Sequence, residues 1–420
     1  MRKSTRKSQE PLLPPIKKIE LDDKHRKVKL IVIVLLLALG VTLIAVSVSK
    51  MLSTEPGWVT ITADVNTQES CSGEFAFLYL LGQGEQAANF EQMAITQLYT
   101  DATQQAFQIF HESRLFDGVH NVAYLNQHPN EVVEIPKALY DAFAAFARHQ
   151  NRSLYLAPIY AEYAAMFKCE TDDTAAQYAP DRSETQKAYV AELLEFTRNE
   201  DEVKLELLGN NQVKLSVSDA YLQYAQTQEM TLFIDFYWMK NAFIADYLAQ
   251  SLIEAGYTNG AISSFDGFVR NLDVTDRNYQ LNLYDRVGKD IYPAGSLQYN
   301  QVKALVSLHN YPIGTLSSLF SYQWKDGSNT SCHIDTADGL SKSAVNDLAG
   351  YSRSLSCSEV LLELYPVFVA DALDEAALQQ LPSKGVETVY CNNYEILTSD
   401  ATVTVTQIYN KDGVQYSWKQ

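Results

Sequence analysis

Leu232–Asn271 reads LFIDFYWMKNAFIADYLAQSLIEAGYTNGAISSFDGFVRN, and this stretch decides the fold. The short apolar run Leu232–Ile234 predicts a strand ending at Asp235. Ala242, Phe243, Ala245, Leu248, Ala249, Leu252 and Ile253 then recur near helical spacing, and Gly256 suits the helix C-terminus. A second apolar run, Ala261–Ile262, leads into Ser-Ser-Phe-Asp-Gly. The expected order is strand, acidic turn, helix, glycine stop, strand.

Around this stretch, 420 residues allow two or three ordinary domains, or one large domain with a tail. The formal charge of −18 is unevenly divided. Ten Lys/Arg and four Asp/Glu precede Leu30, so the remainder carries 23 basic and 47 acidic residues. So acidic a body excludes nucleic acid, which needs cations to neutralise phosphates. Residues 1–29 are basic and polar, with Pro11, Pro14 and Pro15, and read as a disordered cytoplasmic tail. Leu30–Val48 is uncharged and apolar throughout. At about 1.5 Å per residue it spans roughly 28 Å, the hydrocarbon thickness of a bilayer. Arg26, Lys27 and Lys29 precede it and only Lys50 follows closely, which puts the N-terminus in the cytoplasm and the body outside. The rival reading is a signal peptide cleaved after Ala45-Val46-Ser47, but run and tail are both long for that. The expected organisation is therefore tail 1–29, transmembrane anchor 30–48 and extracytoplasmic body 53–420.

Within the body, Trp58–Val65 and Phe75–Leu81 read as strands and Glu91–His111 as an amphipathic helix. A further helix starts at Pro136. Cys169–Thr185 is a polar loop or lid, and Val203–Leu208 and Gln212–Val217 form a hairpin around Gly209-Asn210-Asn211. Tyr279–Tyr284 and Val302–His309 read as strands, and Thr402–Tyr409 with Val414–Trp418 as a closing hairpin. The five cysteines show no metal-ligand spacing; one or two disulfides and buried free thiols both remain open. The stripe Tyr160, Tyr163, Phe167 reads as core before ligand stacking. No G-x-S-x-G, P-loop, H-E-x-x-H or dinucleotide glycine motif occurs.

The organising stretch resembles the FAD:protein FMN transferases, the ApbE-like flavin transferases. Their pattern there is a strand, D-L-G-x-x-x-K-G-Y-x-x-D, a helix, A-G-x-x-N and a Gly-Gly turn. Asp235, Phe243, Asp246, Ala255-Gly256 and Asn259 take matching places. The family Lys falls on Asn241, the Gly of D-L-G on Tyr237, and the Gly-Gly pair on Phe265-Asp266. Leu125-Asn126 and Val132–Ile135 fit the family's L-N loop and the short segment after it. Ser307 and Tyr311 fit T-S-G-x-Y, and Cys332–Gly339 resembles H-I-[IL]-D-P-x-T-G without the Pro. In place of G-x-F-D-P-T stands Ser153–Ile159, without the Asp. The metal motif A-D-A-x-x-T falls on Ser356–Tyr365, where only Glu359 and Glu363 offer carboxylates, on one helix face.

The resemblance, from about Phe75 to Pro382, implies an α+β flavin-transferase fold preceded by a single transmembrane helix. It implies His333 and Asp335 as catalytic candidates, with Asp235, Asn241, Asp246, Ser307 and Tyr311 around FAD and Glu359 and Glu363 around Mg²⁺. Two functions fit. One is an active enzyme attaching FMN to a Thr of extracytoplasmic flavoproteins, using FAD and Mg²⁺. The other is a catalytically silent relative that binds flavin, another ligand or a membrane partner, a reading that leaves room for no cofactor at all. The departures at Tyr237, Asn241 and Phe265-Asp266 favour the second, because phosphoryl transfer depends on positioning and charge neutralisation. A surface protein unrelated to the family is a third reading.

Overall fold

The computed structural model describes residues 54–273, 277–313 and 319–419, with Val32, Val34, Leu36, Leu39, Gly40, Thr42 and Leu43. Contacts divide the chain into two units, Met1–Thr54 and Glu55–Gln420. In the first, Val32, Val34, Leu36, Leu39, Gly40, Thr42 and Leu43 are helical. No helix among the described residues is long and apolar enough to cross a membrane, and most of the expected anchor, Leu30–Val48, lies outside them.

The second unit is built on a nine-stranded sheet. Its strands run, in spatial order, Gly57–Ile61, Phe75–Leu81, Gly260–Ser264, Phe268–Asn271, Ala304–His309, Asp347–Ser352, Glu387–Asn392, Glu395–Thr398 and Ser417–Lys419. All neighbours are antiparallel except the last pair. Side-chain alternation splits the strand Ala304–His309 between two cores. Ala304, Val306 and Leu308 join the large core shared with the helices, while Leu305 joins a smaller one with Leu283, Leu297, Val389 and Ile396. Helices Ala88–Phe110, Lys240–Glu254 and Cys357–Phe368 pack on the first side. The hairpin Tyr279–Val287 and Asp290–Tyr299 covers the second. A three-stranded sheet of Val132–Glu134, Gln212–Val217 and Val203–Gly209 stands apart from the large one, with helices Lys137–Arg148, Ala157–Met166 and Glu184–Thr197 between the strands in sequence. The body is thus α+β, as expected.

Most expected elements are present, and two differ for physical reasons. Among the described residues, Leu232–Ile234 joins no sheet. Instead the Asn126 side chain takes the part of a neighbouring strand: its Oδ1 accepts the N–H groups of Phe233 and Ile234 at 2.9 and 3.0 Å, and its Nδ2 donates to the Ile234 carbonyl at 3.0 Å. The closing hairpin keeps its turn, with Asp412 at φ 52° and Gly413 at φ 84°, but its arms part. Thr404–Ile408 pairs with Asp290–Tyr299, and Ser417–Lys419 pairs with Glu395–Thr398. All five cysteines are free thiols.

Candidate functional site

The chain enters the site along Leu232–Phe236, pinned by Asn126 and by the Asp235 N–H, which donates to the Leu154 carbonyl at 3.0 Å. The Asp235 Oδ1 then accepts the Tyr237 N–H at 2.9 Å. That bond closes a tight turn in which Tyr237 adopts φ 47°. An aromatic residue rarely enters this left-handed region, and doing so costs on the order of 1–3 kcal/mol. A 3₁₀ turn, Tyr237–Met239, follows and runs directly into the helix Lys240–Glu254.

A cavity of about 400 Å³ opens beside this turn. Glu74, Glu112, Asp235 and Asp266 bring four carboxylates to it, and Lys240 brings one amine. Burial opposes the Lys240 charge, but Glu74, Glu112 and Asp235 outweigh it and hold the pKa above its usual value. Burial pushes Asp235 and Asp266 up to about 7, with Glu112 and Glu74 adding to the respective shifts. Asn241 donates both amide hydrogens, to Glu74 Oε2 and Asp266 Oδ2, each at 3.0 Å. The aromatic wall consists of Tyr160, Tyr237, Phe265 and Phe320. Tyr160 stacks on Tyr237 with ring centres 4.8 Å apart.

Ser307, Tyr311 and His333 line a neighbouring cavity of only about 30 Å³, which shares Asp266 and Phe320 with the larger one. His333 is buried edge-on against Trp238 and Phe368, and its Nδ1 lies 3.0 Å from the Ser331 hydroxyl. Burial, reinforced by His309, lowers its pKa to about 3, so the ring stays neutral at ordinary pH and is a weak base. Tyr311 donates its hydroxyl to Asp347 at 3.0 Å. Gly267, φ 99°, lets the turn after Asp266 approach Ser307, whose carbonyl oxygen would lie 2.3 Å from an added Cβ.

Of the residues named from sequence, Asp235 and Asn241 thus meet in one cavity, and Ser307, Tyr311 and His333 meet in the next. The other four lie elsewhere. Asp335 pairs with Lys342 at 2.9 Å and accepts the Ala337 N–H. Asp246 receives the N–H groups of Cys357 and Ser358, each at 2.9 Å, and caps the helix Cys357–Phe368. Glu359 closes that helix's capping box with Ser356, and Glu363 pairs with Lys384 at 2.7 Å. Among the described residues no group of three or more His, Cys, Asp or Glu stands together as metal ligands. With Glu359 and Glu363 committed to separate partners, this arrangement does not fit a divalent ion. Sequence reasoning missed Lys240, Glu74, Glu112 and Phe320. Lys240 was signalled, since it stands one residue before the position where the resemblance places a lysine; the others come from distant segments with no motif.

No family model matches the sequence, and no curated protein does. Solved structures do share the fold. The chain is similar to the ApbE protein of Thermotoga maritima, with 12% identity, 84% of this chain and 97% of that chain covered, and a TM-score of 0.54. It is likewise similar to the flavin transferase ApbE of Vibrio cholerae, with 11% identity, 84% and 98% coverage, and a TM-score of 0.52. The body therefore has the ApbE flavin-transferase fold, as the resemblance in Leu232–Asn271 implies.

Proposed function

We propose that this protein is a divergent, membrane-anchored relative of the ApbE flavin transferases. Its extracytoplasmic site binds a ligand or partner instead of transferring FMN. The observation that carries this reading is the lining of the larger cavity: the carboxyl groups of Glu74, Glu112, Asp235 and Asp266 surround a single lysine, Lys240. Burial leaves Asp235 and Asp266 only partly ionised near pH 7, and a pyrophosphate brought there meets the like charge of the ionised carboxylates in a poorly solvated space. Asn241 gives both hydrogens to carboxylates and has none left for a phosphate. His333, whose pKa burial lowers, is a weak general base for activating a hydroxyl.

The second reading, an active transferase using FAD and Mg²⁺ on partner flavoproteins, is favoured by the fold and by Lys240 at the cavity wall. AMP release separates the two, because transfer of FMN from FAD to a Thr hydroxyl expels AMP. The full-length protein, given FAD, Mg²⁺ and a Thr-bearing flavoprotein acceptor, should release no AMP above background. Steady release with a matching mass gain on the acceptor would establish the enzyme. The anchor rests on Leu30–Val48 and the basic residues before it. Membrane fractionation with a protease-accessible body tests it, and a soluble, protected body would contradict it.

A further inference from the structure

A separate cavity, of about 560 Å³, lies at one end of the large sheet. The hairpin Tyr279–Val287 and Asp290–Tyr299, the loop before Asp347–Ser352, and the turn joining Glu387–Asn392 to Glu395–Thr398 enclose it. It shares no lining residue with the two cavities above. Asparagine amides dominate its lining, with one carboxyl, Asp285, and one cation, Arg286. Asp285 is committed. Its Oδ1 accepts the Asn346 amide at 3.0 Å and the Arg286 N–H at 2.8 Å, and its Oδ2 accepts the Tyr416 hydroxyl at 3.2 Å.

The amide network fixes which atoms are left over. Asn346 Nδ2 also donates to the Arg286 carbonyl at 2.8 Å, an acceptor only, which sets that amide's orientation. Asn346 Oδ1 then takes a hydrogen from Asn310 Nδ2 at 3.2 Å, whose other hydrogen goes to Ser343 Oγ at 2.7 Å. Asn310 Oδ1 has no partner, although the residue is only 9% exposed. Asn329 donates its Nδ2 to the Asn310 carbonyl, and its own Oδ1 is left without one. Arg286 Nε is buried and unpartnered as well. Two amide oxygens and one guanidinium N–H of this lining thus lack the hydrogen bonds that buried polar groups seldom forgo. At the rim, Asn393 and Tyr394 form a two-residue hairpin turn, at φ 49° and 63°. Glycine is favoured at the second position, yet Tyr394 holds it with its side chain 45% exposed and its ring edge-on to Tyr416.

We propose that this cleft binds a neutral saccharide. A sugar hydroxyl both donates and accepts, so neighbouring hydroxyls serve the amide oxygens of Asn310 and Asn329 and the N–H of Arg286 together. The exposed Tyr394 ring is a platform for the C–H face of the sugar. An anion would meet the amide oxygens and Asp285, and a metal ion would meet the Arg286 guanidinium, so the arrangement selects against both. A peptide side chain would find little apolar surface, since Val287, Ala344 and Val345 are the only aliphatic side chains in the lining. The volume suits a small ligand, whose sites run from roughly 300 to 1,000 Å³. The inference is independent of what the larger cavity binds.

Saturation-transfer NMR on the full-length protein, in a detergent without a sugar headgroup, tests this. The probes are maltose, cellobiose, lactose and chitobiose. At least one should receive saturation from the wild type. Tyr394→Gly, which suits the turn, and Asn329→Ala should each weaken its binding roughly tenfold or more. Tyr394→Phe, which keeps the ring, should match wild type. Circular dichroism checks native folding first, and either weakened variant alone suffices if the other fails to fold. No transfer to any of the four sugars at high millimolar concentration overturns the proposal. So does binding that a natively folded Tyr394→Gly or Asn329→Ala leaves unchanged. Displacement of the sugar by equimolar inorganic phosphate or Ca²⁺ would mark an ion site and overturn it too. AMP release by the wild type would sink the non-transferring reading of the larger cavity without bearing on this cleft.

Discussion

Asn126 holds Phe233 and Ile234 through three hydrogen bonds, all buried. Asn126→Ala strands two buried N–H groups and a carbonyl. It should cost about 3–5 kcal/mol, because each unsatisfied group costs on the order of 1–3 kcal/mol. Urea denaturation measures this, and a loss below about 1 kcal/mol would mean that water or backbone replaces the amide. Asp347 gives a pH signature. Burial raises its pKa to about 7, although the Tyr311 hydroxyl opposes the shift, against about 3.9 in the unfolded chain. A raised acid contributes stability that is complete below about pH 4 and lost as pH rises through 7. Asp347→Asn should therefore flatten the decline of stability between about pH 4 and 7, by at most about 1.4 kcal/mol per pH unit. Parallel stability curves for the two proteins would contradict this. At this scale the sequence was legible where a motif was local, as at Asp235. It was silent where distant chains meet: Glu74 and Asp266 come together only through Asn241, and nothing near Glu74 marks it.

Helices Ala88–Phe110 and Lys240–Glu254 were legible because a buried helix face writes its period into the chain, and Gly256, at φ 89°, ends the second. Leu232–Ile234 was misleading because three apolar residues carry no period, and a side-chain amide can pair with backbone as a strand does. The helix Cys357–Phe368 shows a different ambiguity. Its acidic residues Glu359 and Glu363 suggested metal ligands, yet Glu359, together with Asp246 from another helix, serves its N-terminus, and Glu363 pairs with Lys384. Asp246→Ala removes an acceptor for two N–H groups and the Ser358 hydroxyl, and leaves Arg270 without the carboxylate 3.5 Å away. Thermal or denaturant unfolding should show a loss of about 3–5 kcal/mol; an unchanged midpoint would show that the cap is dispensable. Gly267→Ala tests the turn between two sheet strands. Its Cβ would lie 2.3 Å from the Ser307 carbonyl oxygen on a backbone at φ 99°, so a loss of about 2–4 kcal/mol is expected on denaturation. A wild-type midpoint would mean that the strand carrying Ser307 can move aside.

On the scale of the whole molecule, the ApbE fold carries a cavity lined by four carboxyl groups and one lysine, which in our proposal disfavours a phosphorylated ligand. Order of elements survives at 11–12% identity because sheet and helices depend on pattern, which many sequences satisfy. A site depends on particular atoms, and here those atoms place negative charge and a tyrosine ring beside the turn that follows Asp235. An extracytoplasmic body on a single membrane span, our proposal for the chain's organisation, would present this cavity to ligands outside the cell. The most direct test of the altered site is titration of the full-length wild type with FAD, with and without Mg²⁺, followed by flavin fluorescence. The account predicts no saturable binding at high micromolar FAD in either condition. Tight binding that depends on Mg²⁺ would contradict it and return the protein to the active transferases.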